Sequence, residues 1–285
     1  MIKEPVWKPE IPFYFWAGGL AGAASLIAFA ARLAGNEELA RKSHYVATVG
    51  EVASPALLIS DLGRPERFLN MLRVFKVTSP MSVGSWILAA SGATTTAATA
   101  LDALGVLPRV RLVAEASSAL LGPALSTYTS LLIANTAVPV WHEARHELPF
   151  AFGASSLAEA GAAATMVVSP ERAGPARRAA VAGALARLGV AGAMTARLGM
   201  VGEPYVKGAA GVLNAVSAAC SAGGAALLAR RGAKSRSAAI LGSGLVLGGE
   251  LAFRWSVFRA GFQSARDPKY TIVPQRARSQ ASTQA

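Results

Sequence analysis

Apolar residues recur along this chain in long stretches that are separated by short polar connections. Eight stretches stand out, at 12–33, 44–60, 81–104, 112–140, 148–168, 180–198, 209–229 and 238–258. A helix of about 20 apolar residues is long enough to cross the roughly 30 Å hydrocarbon core of a bilayer. The pattern therefore predicts an all-α, polytopic membrane protein with about eight transmembrane helices, expected as two four-helix bundles.

The second and sixth stretches carry the weakest signal. The second is short and contains His44 and Glu51, and the sixth contains Arg187, so a count of seven helices stays open as an alternative. Residues 1–262 are expected to form a single transmembrane domain. The polar, basic tail at 263–285 is expected to be extended or disordered.

An even number of spans places both chain ends on one membrane face, called side A below, together with the loop at 61–80. The opposite face is side B. Lys and Arg are divided almost evenly between the two faces, so the positive-inside rule leaves the orientation open.

The composition supports a lipid environment. Of the 285 residues, 53% are hydrophobic and 15% are charged, whereas soluble domains carry about 25% charged residues. The net charge of +12 is compatible with nucleic-acid binding, but the basic residues lie singly or in pairs in short connections and form no continuous basic face. We therefore expect contacts with anionic lipid headgroups and no nucleic-acid binding.

The potential metal ligands are few and scattered. A single cysteine, Cys220, excludes Cys-ligated zinc and iron–sulfur clusters within this chain. Membrane haem usually needs histidines on facing helices, but His44 lies at the edge of a span, and His142 and His146 lie in a loop. The sequence therefore predicts no haem, no iron–sulfur cluster and no metal site in this chain.

The loop at 61–80 has its own pattern. Gly63 and Pro65 are expected to end the second span, and the apolar and basic residues that follow predict a short helix in the membrane interface. Such a helix could serve as a docking surface for a peripheral subunit, although an ordinary connector has the same pattern. Asp61 and Arg64 are expected to form an ion pair that locks the loop or relays protons.

Two sequence blocks resemble those of a known family. The first comprises DLGRPERF at 61–68 and SPMSVG at 79–84; the second comprises YTSLL at 128–132, TAVPVW at 136–141, LPF at 148–150 and ASS at 154–156. Their order and separation are similar to the signature of the NrfD-like family, the membrane subunits of polysulfide reductases. The count of eight spans also agrees with that family's fold.

The resemblance implies a quinone-reactive membrane anchor in the bacterial inner membrane, used in anaerobic respiration. Members of the family carry no haem or cluster and lie under a ferredoxin-like iron–sulfur subunit, which contacts a molybdopterin-type catalytic subunit. Electrons then pass between that cluster and a quinone or menaquinone. Whether the chain itself counts as an enzyme stays open, because the substrate chemistry belongs to the partners.

The resemblance also implies candidate quinone contacts. In the polysulfide-reductase member a tyrosine of the fourth helix helps to hold the quinone, and Tyr128 stands at the matching motif. That member has polar residues at the start of the first helix, where this chain has aromatic residues that include Tyr14 and Trp16. We take all three aromatic residues as candidate quinone-binding residues.

Ionisable residues within spans are costly and therefore indicate function. Glu51, Glu159 and Glu250 lie at a depth from side A similar to that of Tyr128. A quinone head needs hydrogen-bond donors at its carbonyls and a carboxylate that exchanges protons, roles predicted for Tyr128 and Glu51 respectively. Glu115, near side B, is expected to begin a proton route that leads to the layer containing Glu159.

A structural ion pair is also predicted within the last span. Glu250 and Arg254 are four residues apart, so their side chains can meet on one helix face.

Two other functions stay open. A passive tether would hold the same partners without binding a quinone. A secondary transporter should show two halves with matching broken helices, and no such internal repeat is evident in the sequence.

Overall fold

The structure is a computed structural model that describes residues 2–64 and 66–284, with side chains described up to residue 276. Within these residues every regular element is helical and no β-strand occurs, which confirms the predicted all-α class. The helices are α1 Glu10–Leu33, α2 Glu37–Leu62, α3 Glu66–Met71, α4 Pro80–Leu104, α5 Pro108–Ala134, α6 Pro139–Glu143, α7 Leu148–Val167, α8 Gly174–Leu198, α9 Gly208–Arg231, α10 Arg236–Arg266 and α11 Lys269–Gln284, with a 3₁₀ helix at Gly199–Tyr205.

Each of the eight predicted apolar stretches corresponds to one long helix, from α1 to α10 with the short α3 and α6 left out. Among the described residues, three segments are both long and apolar enough to cross a membrane by length and composition, namely Glu10–Leu33, Gly174–Tyr205 and Gly208–Arg231. The chain is thus a multi-pass membrane protein, and the full count of eight crossings stays a prediction.

The end of the fourth stretch was predicted wrongly. Helix α5 ends at Ala134, six residues before the predicted end at 140, and the chain is extended at Val138 before the short helix α6 begins at Pro139. A residue before proline avoids the helical conformation, and the proline ring cannot continue a helix. Pro139 therefore separates α5 from α6.

The long helices fall into two groups of four. Helix α1 packs on α2 and α5, and α4 packs on α5, while the second group joins α7 to α8 and α9 to α10. Helix α1 also contacts α7 and α10, so it lies at the seam between the groups. Gly22 of α1 and Gly122 of α5 approach so closely that neither position has room for a side chain, as is typical of helices that associate in lipid.

The N-terminal segment crosses side A and joins the two groups. Trp7 stacks on Trp141 with ring centroids 5.5 Å apart, and the indole Nε1 of Trp141 donates a hydrogen bond of 2.7 Å to the carbonyl oxygen of Val257. Arg266 donates to Glu4 at 2.9 Å. The side A end of the molecule is therefore covered by residues that precede α1.

The C-terminal tail differs from the expected extended segment. Helix α10 continues past residue 262 to Arg266, and α11 spans Lys269–Gln284. The backbone N–H of Lys269 is satisfied by the Asp267 carboxylate at 3.0 Å, and the Lys269 ammonium group lies 3.0 Å from Glu203. The tail is anchored because Tyr270 is buried against the body of the protein; residue 285 lies outside the described residues.

Candidate functional site

A cavity of about 250 Å³ lies at the side A end of the first group of helices. Its roof is formed by Val6 and Trp7 of the N-terminal segment and by Met71 at the end of α3. Most of its wall is apolar, and its polar lining residues are Tyr14, Asp61, Arg67, Ser85 and Tyr128. The cavity therefore combines an apolar wall with a few polar groups, as small-molecule sites usually do.

Two tyrosines from distant parts of the sequence meet in this cavity. The rings of Tyr14 and Tyr128 lie edge to face, with centroids 6.5 Å apart, and both side chains are buried. Gly84 of α4 lies against the ring of Tyr128, so a side chain at that position would overlap the ring. The Tyr128 hydroxyl is buried and has no hydrogen-bond partner among the described residues.

Glu51 lies next to the cavity and not in its wall. Ser91 of α4 donates a hydrogen bond to Glu51 Oε1, whereas Oε2 is buried without a partner in the part of the chain that the structure describes. The carboxylate is near enough to the Tyr14 hydroxyl for the two groups to interact electrostatically. The structure thus places Glu51 behind the tyrosine pair with one oxygen free to bond.

Trp16, the remaining aromatic candidate, is directed elsewhere. It packs on the apolar cluster between α1, α2 and α7 that contains Leu20 and Ala24 and does not line the cavity of Tyr14 and Tyr128. Two residues along a helix turn a side chain by roughly 200°, which explains why Tyr14 faces the cavity and Trp16 does not.

Asp61 and Arg64 behave differently from the expected pair. An Asp61 carboxylate oxygen accepts the backbone N–H of Lys8 at 2.9 Å, and the Lys8 ammonium group donates to the Ser60 carbonyl at 3.3 Å. Arg64 is exposed and forms no salt bridge with Asp61 in the described structure. Asp61 therefore locks the N-terminal segment over the cavity.

The predicted break after the second span is partly visible. Gly63 ends α2 in the left-handed conformation, with φ of 70°, which glycine adopts without strain. Pro65 lies outside the described residues. The predicted interfacial helix corresponds to α3, which is only six residues long and buries none of them.

Glu115 lies near side B, as expected from its place in the sequence. It accepts hydrogen bonds from Arg32 at 2.9 and 2.7 Å, and Arg111 lies 3.7 Å away. Arg32 also pairs with Glu37. These charges border another cavity, of about 270 Å³, at side B. Because Arg32 belongs to α1 and Glu115 to α5, their hydrogen bonds hold these two helices together at the end opposite the tyrosine pair.

The predicted pair of Glu250 with Arg254 is wrong. Arg254 lies 3.4 Å from Glu159 of α7, while Arg187 of α8 lies 3.1 Å from Glu250. The two residues of α10 extend toward different neighbouring helices, because inter-helix partners are available within the second group. Glu51, Glu159 and Glu250 thus have different partners, and of these three Glu51 is the one that interacts with a residue lining the tyrosine cavity.

His44 is a polar residue that sequence reasoning undervalued. It is buried on the side of α2 that packs on α4, and its Nε2 atom lies 3.1 Å from the Thr95 carbonyl oxygen of α4. The signal for it was available, because His44 and Glu51 are seven residues apart and therefore share one face of α2. The described residues contain no cluster of three His, Cys, Asp or Glu side chains that could hold a metal ion.

Comparison with known proteins adds one finding. The family model described as "Polysulphide reductase, NrfD" matches residues 1–209, a range that runs from the N-terminal segment to the start of α9 and includes all the residues that line the tyrosine cavity. No curated protein matches the chain.

Proposed function

The chain belongs to the NrfD family, which consists of membrane subunits of oxidoreductase complexes, and on that premise we propose that it binds a quinone in the cavity of Tyr14 and Tyr128. Electrons would pass between this quinone and an iron–sulfur subunit docked on side A. The observation that carries the proposal is the pairing of an apolar cavity with two buried polar atoms that have no partner in the described structure, Tyr128 Oη and Glu51 Oε2.

The residues present fit a quinone head. A buried hydroxyl without a partner is unfavourable by about 1–3 kcal/mol, so Tyr128 gains a hydrogen bond when a carbonyl oxygen enters the cavity. The cavity volume of about 250 Å³ lies just below the roughly 300–1,000 Å³ of small-molecule sites. This size suits the flat ring of a quinone. The apolar tail of the quinone would pass Leu58 and Met81 toward the lipid.

Each residue has a distinct chemical role. The hydroxyls of Tyr14 and Tyr128 donate hydrogen bonds to carbonyl oxygens, and Gly84 keeps the Tyr128 ring in place by lying against it. Glu51, held at one oxygen by Ser91, exchanges protons near the ring. When bound, the quinone supplies the redox chemistry, taking up two electrons and two protons as it becomes quinol or releasing them in reverse.

The surface above the cavity suits a protein partner. Leu69, Val74 and Phe75 expose 66%, 66% and 58% of their surface, and Arg73 and Lys76 lie among them. A ferredoxin-like subunit docked there would bring its cluster close to the cavity mouth. Through it the chain would serve a molybdopterin-type catalytic subunit in a bacterial inner membrane, with menaquinone as the expected quinone.

A passive tether is the alternative, and it differs by the absence of a bound quinone. The test is quinone-linked turnover of the purified complex with Tyr128→Phe and Glu51→Gln. We expect turnover to fall on the order of 100-fold for Glu51→Gln, the usual scale of lost acid–base catalysis, and less for Tyr128→Phe.

Tyr205→Phe is the matched control, because that hydroxyl is also buried without a partner in the described structure but lies outside the cavity. Wild-type turnover in both test variants would favour the tether.

A further inference from the structure

Polar side chains continue from Glu51 toward side B through the interior of the first group of helices. Ser91 bonds Glu51, and one turn further along α4 the hydroxyl of Thr95 lies 2.6 Å from that of Ser118 on α5. Ser91, Thr95 and Ser118 are all 0% exposed. A buried polar stripe therefore begins at the proposed quinone site and leads away from it.

The stripe passes His44 before it reaches the charges at side B. The Thr95 carbonyl oxygen lies 3.1 Å from His44 Nε2, and Glu115 is three residues from Ser118 on α5. Glu115, Asp102 and Arg32 are all near enough to interact electrostatically with the imidazole. These three residues border the charged cavity at side B or bond directly to its lining.

One ring nitrogen of His44 lacks a hydrogen-bond partner among the described residues. The side chain is 3% exposed, and the nitrogen without a partner is Nδ1. A buried polar atom without a partner in a native protein usually indicates a bound water or a functional role. The Thr95 carbonyl can only accept, so Nε2 carries the N–H of that contact. Nδ1 is then the nitrogen that takes up a proton and releases it again, which gives His44 the chemistry of a proton carrier.

We infer that His44 carries protons between the charged cavity at side B and Glu51, so that the protons used in quinone chemistry are exchanged with the face opposite the docked partner. The inference rests on the proposed function. Ser91 and Thr95 are about 6 Å apart along α4, and bridging waters complete the steps that no direct hydrogen bond spans.

The balance of charge follows from this arrangement. Reduction of one quinone takes two electrons from side A and two protons from side B, and yields one quinol. Positive charge therefore crosses most of the membrane in each turnover, and quinol oxidation reverses the movement. The competing route is short, because the Asp61 carboxylate lines the cavity close to side A, and protons that enter there move no charge across the membrane.

The test uses the purified complex with its partner subunits, reconstituted into sealed vesicles that contain menaquinone-4 in the lipid and a pH-sensitive dye inside. Methyl viologen radical is added outside, and valinomycin with potassium removes the membrane potential. Two viologen radicals, one menaquinone and two protons give two oxidised viologens and one menaquinol. We expect the interior to lose about one proton for each electron transferred in complexes whose partner subunits face outward.

Three outcomes are distinguishable. Interior alkalinisation that accompanies menaquinone reduction supports the inference. Menaquinone reduction with constant interior pH places the proton source at side A and overturns the inference, while the proposed function stands. Failure of the complex to reduce menaquinone at all overturns the proposed function, and the inference with it.

Substitutions along the buried polar stripe test whether the protons follow this route. His44→Gln keeps an N–H that can reach the Thr95 carbonyl but cannot relay a proton, so both electron transfer and interior alkalinisation should fall on the order of tenfold or more. The affinity for menaquinone-4 should not change. Thr95→Val is the smaller companion change, in case His44→Gln fails to assemble.

Thr96→Val is the matched control for Thr95→Val, because Thr96 is the neighbouring residue on α4 and is exposed. It should keep the wild-type rate and proton yield. Wild-type proton uptake in both His44→Gln and Thr95→Val, or an equal loss in Thr96→Val, would contradict the route.

Discussion

Tyr14 of α1 and Tyr128 of α5 meet edge to face, with ring centroids 6.5 Å apart and planes at 70°. This contact is possible because the backbones of α1 and α5 approach closely at Gly22 and Gly122. It brings two hydroxyl donors into one apolar cavity at side A. The quinone site that we propose depends on this pair more than on any single residue.

Gly84→Ala should weaken quinone binding. The added methyl group would overlap the ring of Tyr128 and displace the hydroxyl from the cavity. We expect the Kd for menaquinone-4 to rise about tenfold, equivalent to about 1.4 kcal/mol. The measurement is equilibrium binding to the purified complex. Gly244→Ala on α10 is the control, because an added methyl group there meets no described residue within 4 Å. An equal effect at both positions would argue against the role of Tyr128.

The buried pair of Arg187 and Glu250 predicts a specific pattern of stabilities. Their side chains are 1% and 0% exposed, so Glu250→Met leaves an unpaired charge and should destabilise the protein by about 3–5 kcal/mol. The double variant Arg187→Met with Glu250→Met removes both charges and should be more stable than the single one. Thermal unfolding in detergent measures both, and a double variant as unstable as the sum of its single changes would contradict the pairing.

Stability should depend on pH through Glu38 at side B. Hydrogen bonds from Lys42 at 2.8 Å and from the Ser169 hydroxyl and N–H at 2.6 and 2.9 Å lower the pKa of Glu38 from its usual value of 4.5 to about 2. A lowered pKa in the folded state means that the stabilisation is complete above pH 4.5 and is lost as the pH falls toward 2.

Glu38→Gln removes this dependence. The difference in Tm between wild type and Glu38→Gln should therefore be largest near pH 7 and should shrink between pH 4.5 and pH 2. A difference that stays constant over this range would show that the carboxylate charge does not stabilise the contact between α2 and the connection that contains Ser169.

The helices could be predicted because their length and apolar character are local properties of the sequence. All eight long helices lie where the apolar stretches indicated, although α2 begins seven residues before its stretch and α10 ends eight residues after its own. The error at the end of α5 concerned a proline within an otherwise apolar run. Pro139 begins a new helix, and a hydropathy profile alone does not distinguish an apolar helix from an apolar connection.

The site could be predicted only in part. Tyr128 was indicated by a resemblance to a family motif and Glu51 by the cost of burying a carboxylate in lipid, but their neighbours depend on helix packing. Glu250 was assigned to Arg254 because the two are close in sequence, whereas Arg187 and Glu159 supply the actual partners from other helices. Side-chain direction across a helix interface is not encoded in spacing along one helix.

The most direct test of the proposed site is photolabelling of the purified complex with an azido-naphthoquinone, followed by mass spectrometry of the labelled peptides. We expect label on the segments of α1 and α5 that carry Tyr14 and Tyr128, with loss of label when excess menaquinone-4 competes. Label confined to α7–α10, or label on α1 and α5 that excess menaquinone-4 does not displace, would contradict a quinone site in this cavity.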